Sequence, residues 1–266
     1  MNTNSNVYTV IYTTIVVVLV AAILAFVSQK LGPMQEANEK AETISQILTA
    51  AQFGEKDHWQ EIGNAKTIEF FKENISEAGL FNAEGQQIGN LDCSAAEIYS
   101  TSQLKAQNYN VKDEANADAI SIPMYKFSNG ITVVPVYGAG LWGPVWGYIA
   151  VNPDLTSVAG AYFDHESETP GLGGKIKDDP SFRAQFQGKK IDYSDANPFS
   201  IVKGGVPAGK ENAVDAITGA TMTSKGLNAA IVTWLNAYKP AFANAAPAAE
   251  PAETAEEVEP IETVEE

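Results

Sequence analysis

AISIPMYKFSNGITVVPVYGAGLWGPVWGYIAVNPDLTSVAGAYFD, residues 119–164, holds four runs rich in β-branched and aromatic residues. AISIPMYKF and ITVVPVY flank Ser128-Asn129-Gly130. Asn-Gly between such runs is a strong hairpin signal, because both residues tolerate the left-handed backbone of a tight turn. VWGYIAV and TSVAGAYFD follow, separated by a second turn at Asn152-Pro153-Asp154. The centre of the chain is therefore expected to be an antiparallel meander.

Outward from this centre the pattern becomes helical. Residues 34–52 place Met34, Ala37, Ala41, Ile44, Leu48 and Ala51 at helical spacing. Residues 59–73 predict a second helix with Ile62, Ile68, Phe70 and Phe71 as its apolar positions, and residues 81–90, with two glycines, a turn region with a short strand. On the other side, Asp179-Pro180 is an N-cap followed by proline at the first helical position, opening SFRAQFQ. FSIVKGG suggests a further short strand. Thr223 or Ser224 is expected to cap a last helix whose Leu227, Ile231, Trp234 and Tyr238 share one face, with Ala230 and Leu235 beside them. Helices at both ends of a strand meander predict an α+β domain.

The N-terminal end has another texture. No residue from Asn2 to Gln29 is charged, and VYTVIYTTIVVVLVAAILAFV, residues 7–27, has the length needed to cross about 30 Å of hydrocarbon at about 1.5 Å per residue. Tyr8 and Tyr12 sit near its start, where amphipathic rings favour the interface. The run is too long and its start too uncharged for a secretory signal, so an uncleaved single-span anchor is expected. Lys30 and Lys40 follow the span and none precedes it; counted alone, they place the large domain in the cytoplasm. At the opposite end, residues 250–266 carry eight glutamates and no lysine or arginine, half of the formal net charge of −16. Beyond Pro240 the Ala/Pro/Glu-rich composition predicts a disordered acidic tail.

Composition excludes several functions. No Lys/Arg stripe is present, so no nucleic-acid footprint is expected. Cys93 is the sole cysteine and His58 and His165 the two histidines, too few for a transition-metal or haem site. No G-x-S-x-G elbow accompanies them, which argues against a Ser-His-Asp hydrolase.

Three segments carry chemistry. Gly138-Ala139-Gly140-Leu141-Trp142-Gly143 joins two strands; its glycines allow close approach to a ligand, and Trp142 offers a flat apolar surface. It is equally a glycine-rich strand connection with a packed tryptophan. Glu168-Thr169-Pro170-Gly171-Leu172-Gly173-Gly174 makes a tight loop able to wrap an anionic or planar ligand, or a plain turn. Asp215-Ala216-Ile217-Thr218-Gly219-Ala220-Thr221-Met222-Thr223-Ser224 stands just before the last helix, whose N-terminal amides and dipole favour a phosphate. Gly219 and Ala220 leave room around the Thr221 hydroxyl, which can carry a stable phosphodiester. The bland alternative is simple helix capping.

Asp-x-x-Thr-Gly-Ala-Thr, ending at Thr221, is similar to the flavinylation motif of the FMN-binding domain family. GAGLWGPVWGYIAV, ETPGLGGKI with FRAQFQGKK, IVKGGVP and VDAITGATMTSKG, in this order, resemble the C-subunit family of sodium-translocating NADH:quinone oxidoreductases over roughly residues 5–240. The resemblance implies one FMN, joined through its phosphate to Thr221 by a flavin transferase that uses FAD and recognises Asp215, Thr218, Gly219 and Ala220. It implies Gly140, Leu141 and Trp142 near the ring and Glu168, Thr169, Gly171, Leu172 and Gly173 in a loop against it. Lys203 would complement phosphate or ring oxygens, with Thr218 and Ala220 beside the phosphoester. It further implies a single-pass subunit of the cytoplasmic membrane with its domain on the outer side, against the charge count. Its partners would be iron–sulfur subunits, a second covalent-flavin subunit and the lipid bilayer, with no NADH or quinone site on this chain. The expected organisation is an anchor over residues 1–30 and an FMN-binding domain over 31–240. That domain has a helical part over 31–118 and a flavin-carrying part over 119–240, followed by the tail over 241–266. The alternatives are the G-subunit of an Rnf-type ferredoxin:NAD complex with the same flavin bond, a carrier of noncovalent flavin, and a cofactor-free anchored interaction module.

Overall fold

A computed structural model of the chain describes residues 6–245. Helix α1, Asn6–Ala50, merges the apolar span and the amphipathic segment into one 45-residue helix. At about 1.5 Å per residue it is about 67 Å long. Pro33 lies inside it, so the Gln29 carbonyl lacks its usual helical donor. The two halves have opposite environments. Val7, Ile15, Leu24 and Phe26 are exposed, and this half is long and apolar enough to cross a membrane. Ala41, Ile44 and Leu48 are buried against the domain, while Met34 stays exposed.

Where one helix was expected over residues 59–73, there are two: α2, Lys56–Ile62, and α3, Asn64–Asn74. Gly63 divides them at φ +81°, a left-handed conformation that glycine adopts without strain. Its amide closes α2 on the Trp59 carbonyl, and its own carbonyl accepts from the Thr67 amide at the start of α3. Strands β1, Ile75–Phe81, and β2, Gln87–Asn90, follow. Helix α4, Thr101–Asn110, is opened by a capping box between Ser100 and Gln103.

The expected meander is present. Strands β3, Ile122–Phe127, β4, Thr132–Ala139, β5, Pro144–Val151, and β6, Val158–His165, pair in chain order and antiparallel. The β3–β4 turn has Gly130 at φ +83°, its amide bonded to the Phe127 carbonyl. The full six-stranded order is β2-β1-β3-β4-β5-β6. Both faces are covered, which is why β4 is buried from Thr132 to Gly138 instead of alternating. Trp146, Ala150 and Gly160 face α1, whereas Gly138 and Phe163 face the opposite side.

Helices α5, Lys175–Asp178, and α6, Pro180–Ala184, lie along β6, with Lys177 paired to Asp164 and Arg183 over Tyr162 on the α1 face and Phe182 against Phe163 on the other. Strands β7, Ser200–Val202, and β8, Ala213–Asp215, and helix α7, Thr221–Ala245, follow, α7 on the face opposite α1. Asp179 caps α6 as expected, accepting from the Ser181 amide, with Pro180 at the first helical position. Phe182, Phe186 and Phe199 pack with Phe163 under the sheet. Leu227, Ile231, Trp234 and Tyr238 of α7 are completely buried, as their spacing predicts. Trp234 Nε1 donates to the Tyr137 carbonyl at 2.9 Å, and Tyr238 Oη to the Pro123 carbonyl at 2.9 Å.

Two expectations are overturned in α7. The helix runs through Pro240, and Ala241–Ala245 continue it instead of beginning a tail. Burial of Ala241 and Phe242, the latter against Tyr193 and Tyr238, outweighs the helix bond that proline removes. The remainder of the expected tail, residues 246–266, lies outside the described residues. Nor do Thr223 and Ser224 cap α7. Both sit buried within its first turn, and their hydroxyls are engaged elsewhere.

Candidate functional site

The three chemistry-bearing segments converge on one buried carboxylate. Glu168, just beyond β6, is 4% exposed. Its Oε1 accepts from the backbone amides of Leu141, at 2.7 Å, and Trp142, at 2.8 Å. Its Oε2 accepts from the Thr223 hydroxyl in the first turn of α7, at 2.6 Å. The Glu168 amide donates to His165 Nδ1 at 3.1 Å, and the Ser167 hydroxyl donates to the Trp142 carbonyl at 2.9 Å. A carboxylate accepting two amides and a hydroxyl is a strong, charge-assisted junction.

Glycine is required around this junction for space. A Cβ on Gly140 would lie 2.4 Å from Glu168 Oε1, and one on Gly173 would lie 2.4 Å from Glu168 Oε2 and 2.5 Å from Thr223 Oγ1. Both were marked in the sequence for ligand approach; here each makes room for the Glu168 carboxylate. Helix α7 meets the strands just as closely. A Cβ on Gly226 would stand 2.1 Å from the Ala139 carbonyl oxygen, and one on Gly138 would stand 2.7 Å from Ala230 Cβ.

The acceptor segment leads into α7 through a tight turn. Val202 of β7 pairs with Asp215 of β8, and the Asp215 carboxylate accepts from the Val206 amide at 2.7 Å. Asp215 thereby holds the Lys203–Gly204–Gly205 turn beside it. The Ala220 amide bonds the Ile217 carbonyl, with Gly219 at φ +82°. The Ser224 amide makes the first intrahelical bond, to the Ala220 carbonyl. The amides of Thr221, Met222 and Thr223 precede that bond and face the N-terminal end of the helix. Leu172 lies against Gly219, where a Cβ would be 3.0 Å from its Cδ2.

Hydroxyls in this segment are not equivalent. Thr223, 1% exposed, donates to Glu168; Ser224, 2% exposed, accepts from the Ile217 amide at 3.2 Å. Thr221 is only partly buried, at the start of α7, and its hydroxyl has no hydrogen bond among the described residues. Thr218 is exposed in the turn before the helix. Around this end of α7 large apolar side chains point into solvent: Leu141 50%, Trp142 67%, Leu172 45% and Met222 55% exposed. Ser167 and His165 carried no sequence signal for this site, Met222 and Gly226 were marked only as members of the quoted VDAITGATMTSKG stretch, and Thr223 was legible only as a cap. The S/T-rich run around Thr223 was visible, but its buried partner was not.

The remaining candidates divide between the junction and the loops beside it. Gly140, Leu141, Trp142, Glu168 and Gly173 are brought together at the junction, and Leu172 joins them through Gly219. Ala220 is buried directly before Thr221. Thr169 and Gly171 shape their loop, Thr169 through its carbonyl, which accepts from the Leu172 and Gly174 amides, and Gly171 by its φ of +75°. Lys203 is exposed and makes no hydrogen bond or ion pair among the described residues. Two grooves adjoin the junction. One of about 770 Å3 runs between α4 and the Gly140–Gly143 loop and is lined by Tyr109, Gly140, Leu141 and Trp142, and one of about 1000 Å3 runs beside α1 past Asp164 and His165; neither is lined by Thr221.

The family model described as FMN-binding domain matches residues 140–236, from the first loop to within α7. The C-subunit of the Na(+)-translocating NADH-quinone reductase of Vibrio vulnificus (strain YJ016) is 32% identical over 217 residues, 77% of this chain and 81% of that protein. The chain belongs to the C-subunit family of Na(+)-translocating NADH-quinone reductases. The crystal structure of the Parabacteroides distasonis member of this C-subunit family has 30% identity and a TM-score of 0.65, covering 80% of this chain and 96% of that one. The similarity is uneven along the sequence: the Vibrio anguillarum C-subunit is 45% identical over 104 residues, and the match spans only 40% of that relative's length.

The junction carries a pH signature. Burial pushes the Glu168 carboxyl up, but the Thr223 hydroxyl and the Trp142 and Leu141 amides outweigh it, so its pKa is lowered from the ordinary glutamate value. A lowered carboxyl adds stability that is complete above the unfolded-state pKa, about 4.3, and is lost as pH falls through the lowered native value. Acid unfolding of the wild type is therefore expected to steepen below about pH 4, and Glu168→Gln to flatten that limb while lowering stability between about pH 6 and 8 by a constant amount, with no change of slope there. Thermal melts from acid to neutral pH check this; superimposable acid limbs would contradict it.

Proposed function

We propose that this chain is the electron-relaying subunit of a membrane NADH:quinone reductase and carries FMN joined by a phosphoester to Thr221. The single observation that carries the assignment is the inequality of the hydroxyls. Of those in the first turn of α7, Thr221 is the one that is neither buried nor hydrogen-bonded among the described residues. It stands where free helix amides and the helix dipole favour an anion. The exposed Trp142, Leu141, Leu172 and Met222 supply apolar surface for a planar ring. The residues present thus fit both ends of the group.

Attachment forms the Thr221 Oγ–P bond on the flavin-side phosphorus of FAD. The pyrophosphate P–O bond breaks, AMP leaves, and the hydroxyl proton passes to the flavin transferase. Bound FMN supplies single-electron chemistry, while this chain's residues hold it and shape its surroundings. Thr221 fixes the phosphate end, the α7 amides neutralise it, and Lys203 adds a positive charge at the rim. The exposed half of α1 anchors the domain in the bilayer. The domain lies on the extracytoplasmic side, between an iron–sulfur subunit and a second covalent-flavin subunit. Asp215, Thr218, Gly219 and Ala220 present the turn that the flavin transferase recognises.

Intact mass of the denatured chain after co-expression with the flavin transferase tests the proposal. One FMN phosphoester is expected, localised to the peptide containing Thr221. An unmodified mass, with the transferase active on a control substrate, would refute it.

A further inference from the structure

Glu168 has no charged group to neutralise within its hydrogen bonds, yet it is buried as an acceptor of three of them. Both carboxylate oxygens are engaged, which leaves it poorly placed to contact a ligand as well. The partners come from two other segments, 26 and 27 residues before it and 55 residues after it. Leu141 and Trp142 present the exposed apolar surface; Thr223 is two residues from the acceptor hydroxyl. Gly140 and Gly173 leave no room for a side chain against the carboxylate.

We infer that Glu168 is a positioning residue: its carboxylate clasps the Leu141–Trp142 loop to the first turn of α7, setting where the ring surface stands relative to Thr221, without itself touching the flavin. This rests on the assignment of Thr221 as FMN acceptor. The clasp orders both sides before the flavin arrives, so it acts on the apoprotein as well as the holoprotein. A misplacement of about 1 Å at such a site costs up to about 100-fold in rate.

The test uses the full-length chain in detergent. Hydrogen exchange is followed on the apoprotein, and timed attachment with purified transferase and FAD is followed by intact mass. Fluorescence anisotropy of the attached flavin is read last. Glu168→Ala is expected to speed exchange at the Leu141 and Trp142 amides about tenfold with β3–β5 unchanged, as local opening does. It should also slow attachment about tenfold and lower the anisotropy. Glu168→Gln, whose Oε1 can still accept from both amides, restores most of each. Thr223→Val breaks only the α7 side: exchange at Leu141 and Trp142 stays slow while attachment slows. Phe71→Leu, a remote core change, should leave attachment and anisotropy as in the wild type.

Wild-type exchange at Leu141 and Trp142 in Glu168→Ala, or wild-type attachment and anisotropy in that variant, would overturn the clasp. So would an equal loss of attachment in Phe71→Leu, since general destabilisation would then explain the effect. A wild-type chain that gains no FMN would instead overturn the acceptor assignment, and the exchange data would still decide the clasp.

Discussion

Thr221→Ala is expected to abolish FMN attachment completely while the domain stays folded. The Thr221 hydroxyl holds no hydrogen bond among the described residues, so its removal leaves no buried group unpaired. Alanine is the best helix former, and the position is the first residue of α7. The stability change should lie within about 0.5 kcal/mol. Thr218→Ala, in the turn that the transferase recognises but outside the helix, should slow attachment yet leave the adduct on Thr221. Intact mass and thermal melting of the two variants check both statements. Flavin retained after denaturation of Thr221→Ala would transfer the acceptor role to another residue. Loss of folding in that variant would show that the Thr221 side chain is structural.

Gly226→Ala sets two opposed effects against each other. Within an exposed helix, the exchange would stabilise by about 1 kcal/mol. Here the new Cβ would stand 2.1 Å from the Ala139 carbonyl oxygen and 3.2 Å from Gly140 Cα, both backbone atoms. No rotamer change relieves such a contact, so α7 must move away from β4. Overpacking of this kind costs about 1–3 kcal/mol and occasionally more, and a backbone clash belongs at the upper end. The clash is therefore expected to win. Melting should fall by several degrees, at roughly 2–4 °C per kcal/mol for a domain of this size. Attachment should slow as well, because the displaced helix carries Thr221 away from the Leu141–Trp142 loop. A melting temperature equal to or above the wild type would mean that the helix–strand contact yields freely, and the tight seating of α7 would not position the acceptor.

Much of the fold was legible in local signals. The Asn129-Gly130 turn, the Asp179-Pro180 cap and the Leu227–Ile231–Trp234–Tyr238 face each encode their structure within a few residues. Other elements were hidden for identifiable reasons. Strand β1 carries a bulge between Ile75 and Glu77, which destroys the period-two pattern. Helix α4 buries Leu104 alone, so it has no apolar stripe; its Ser100–Gln103 capping box was the available signal. Gly63 divides α2 from α3 within a pattern that looks continuous. The strands β7 and β8 are three residues each and pair in parallel across a connection that leaves no local trace.

For the site, local pattern was enough to pick out the helix-leading Thr221 segment and the two glycine-rich loops. It also left room for the bland reading, in which every hydroxyl near α7 is a cap. Tertiary packing decided among them. It buried Thr223 and Ser224, gave each a partner, and left Thr221 at the surface of the helix end. It also turned Glu168 from a loop residue of open role into the junction of three segments. Spacing and capping act over a handful of residues, so sequence displays them directly. Burial and hydrogen-bond pairing between positions 26 to 55 residues apart depend on the path of the whole chain, and only the folded molecule brings them together.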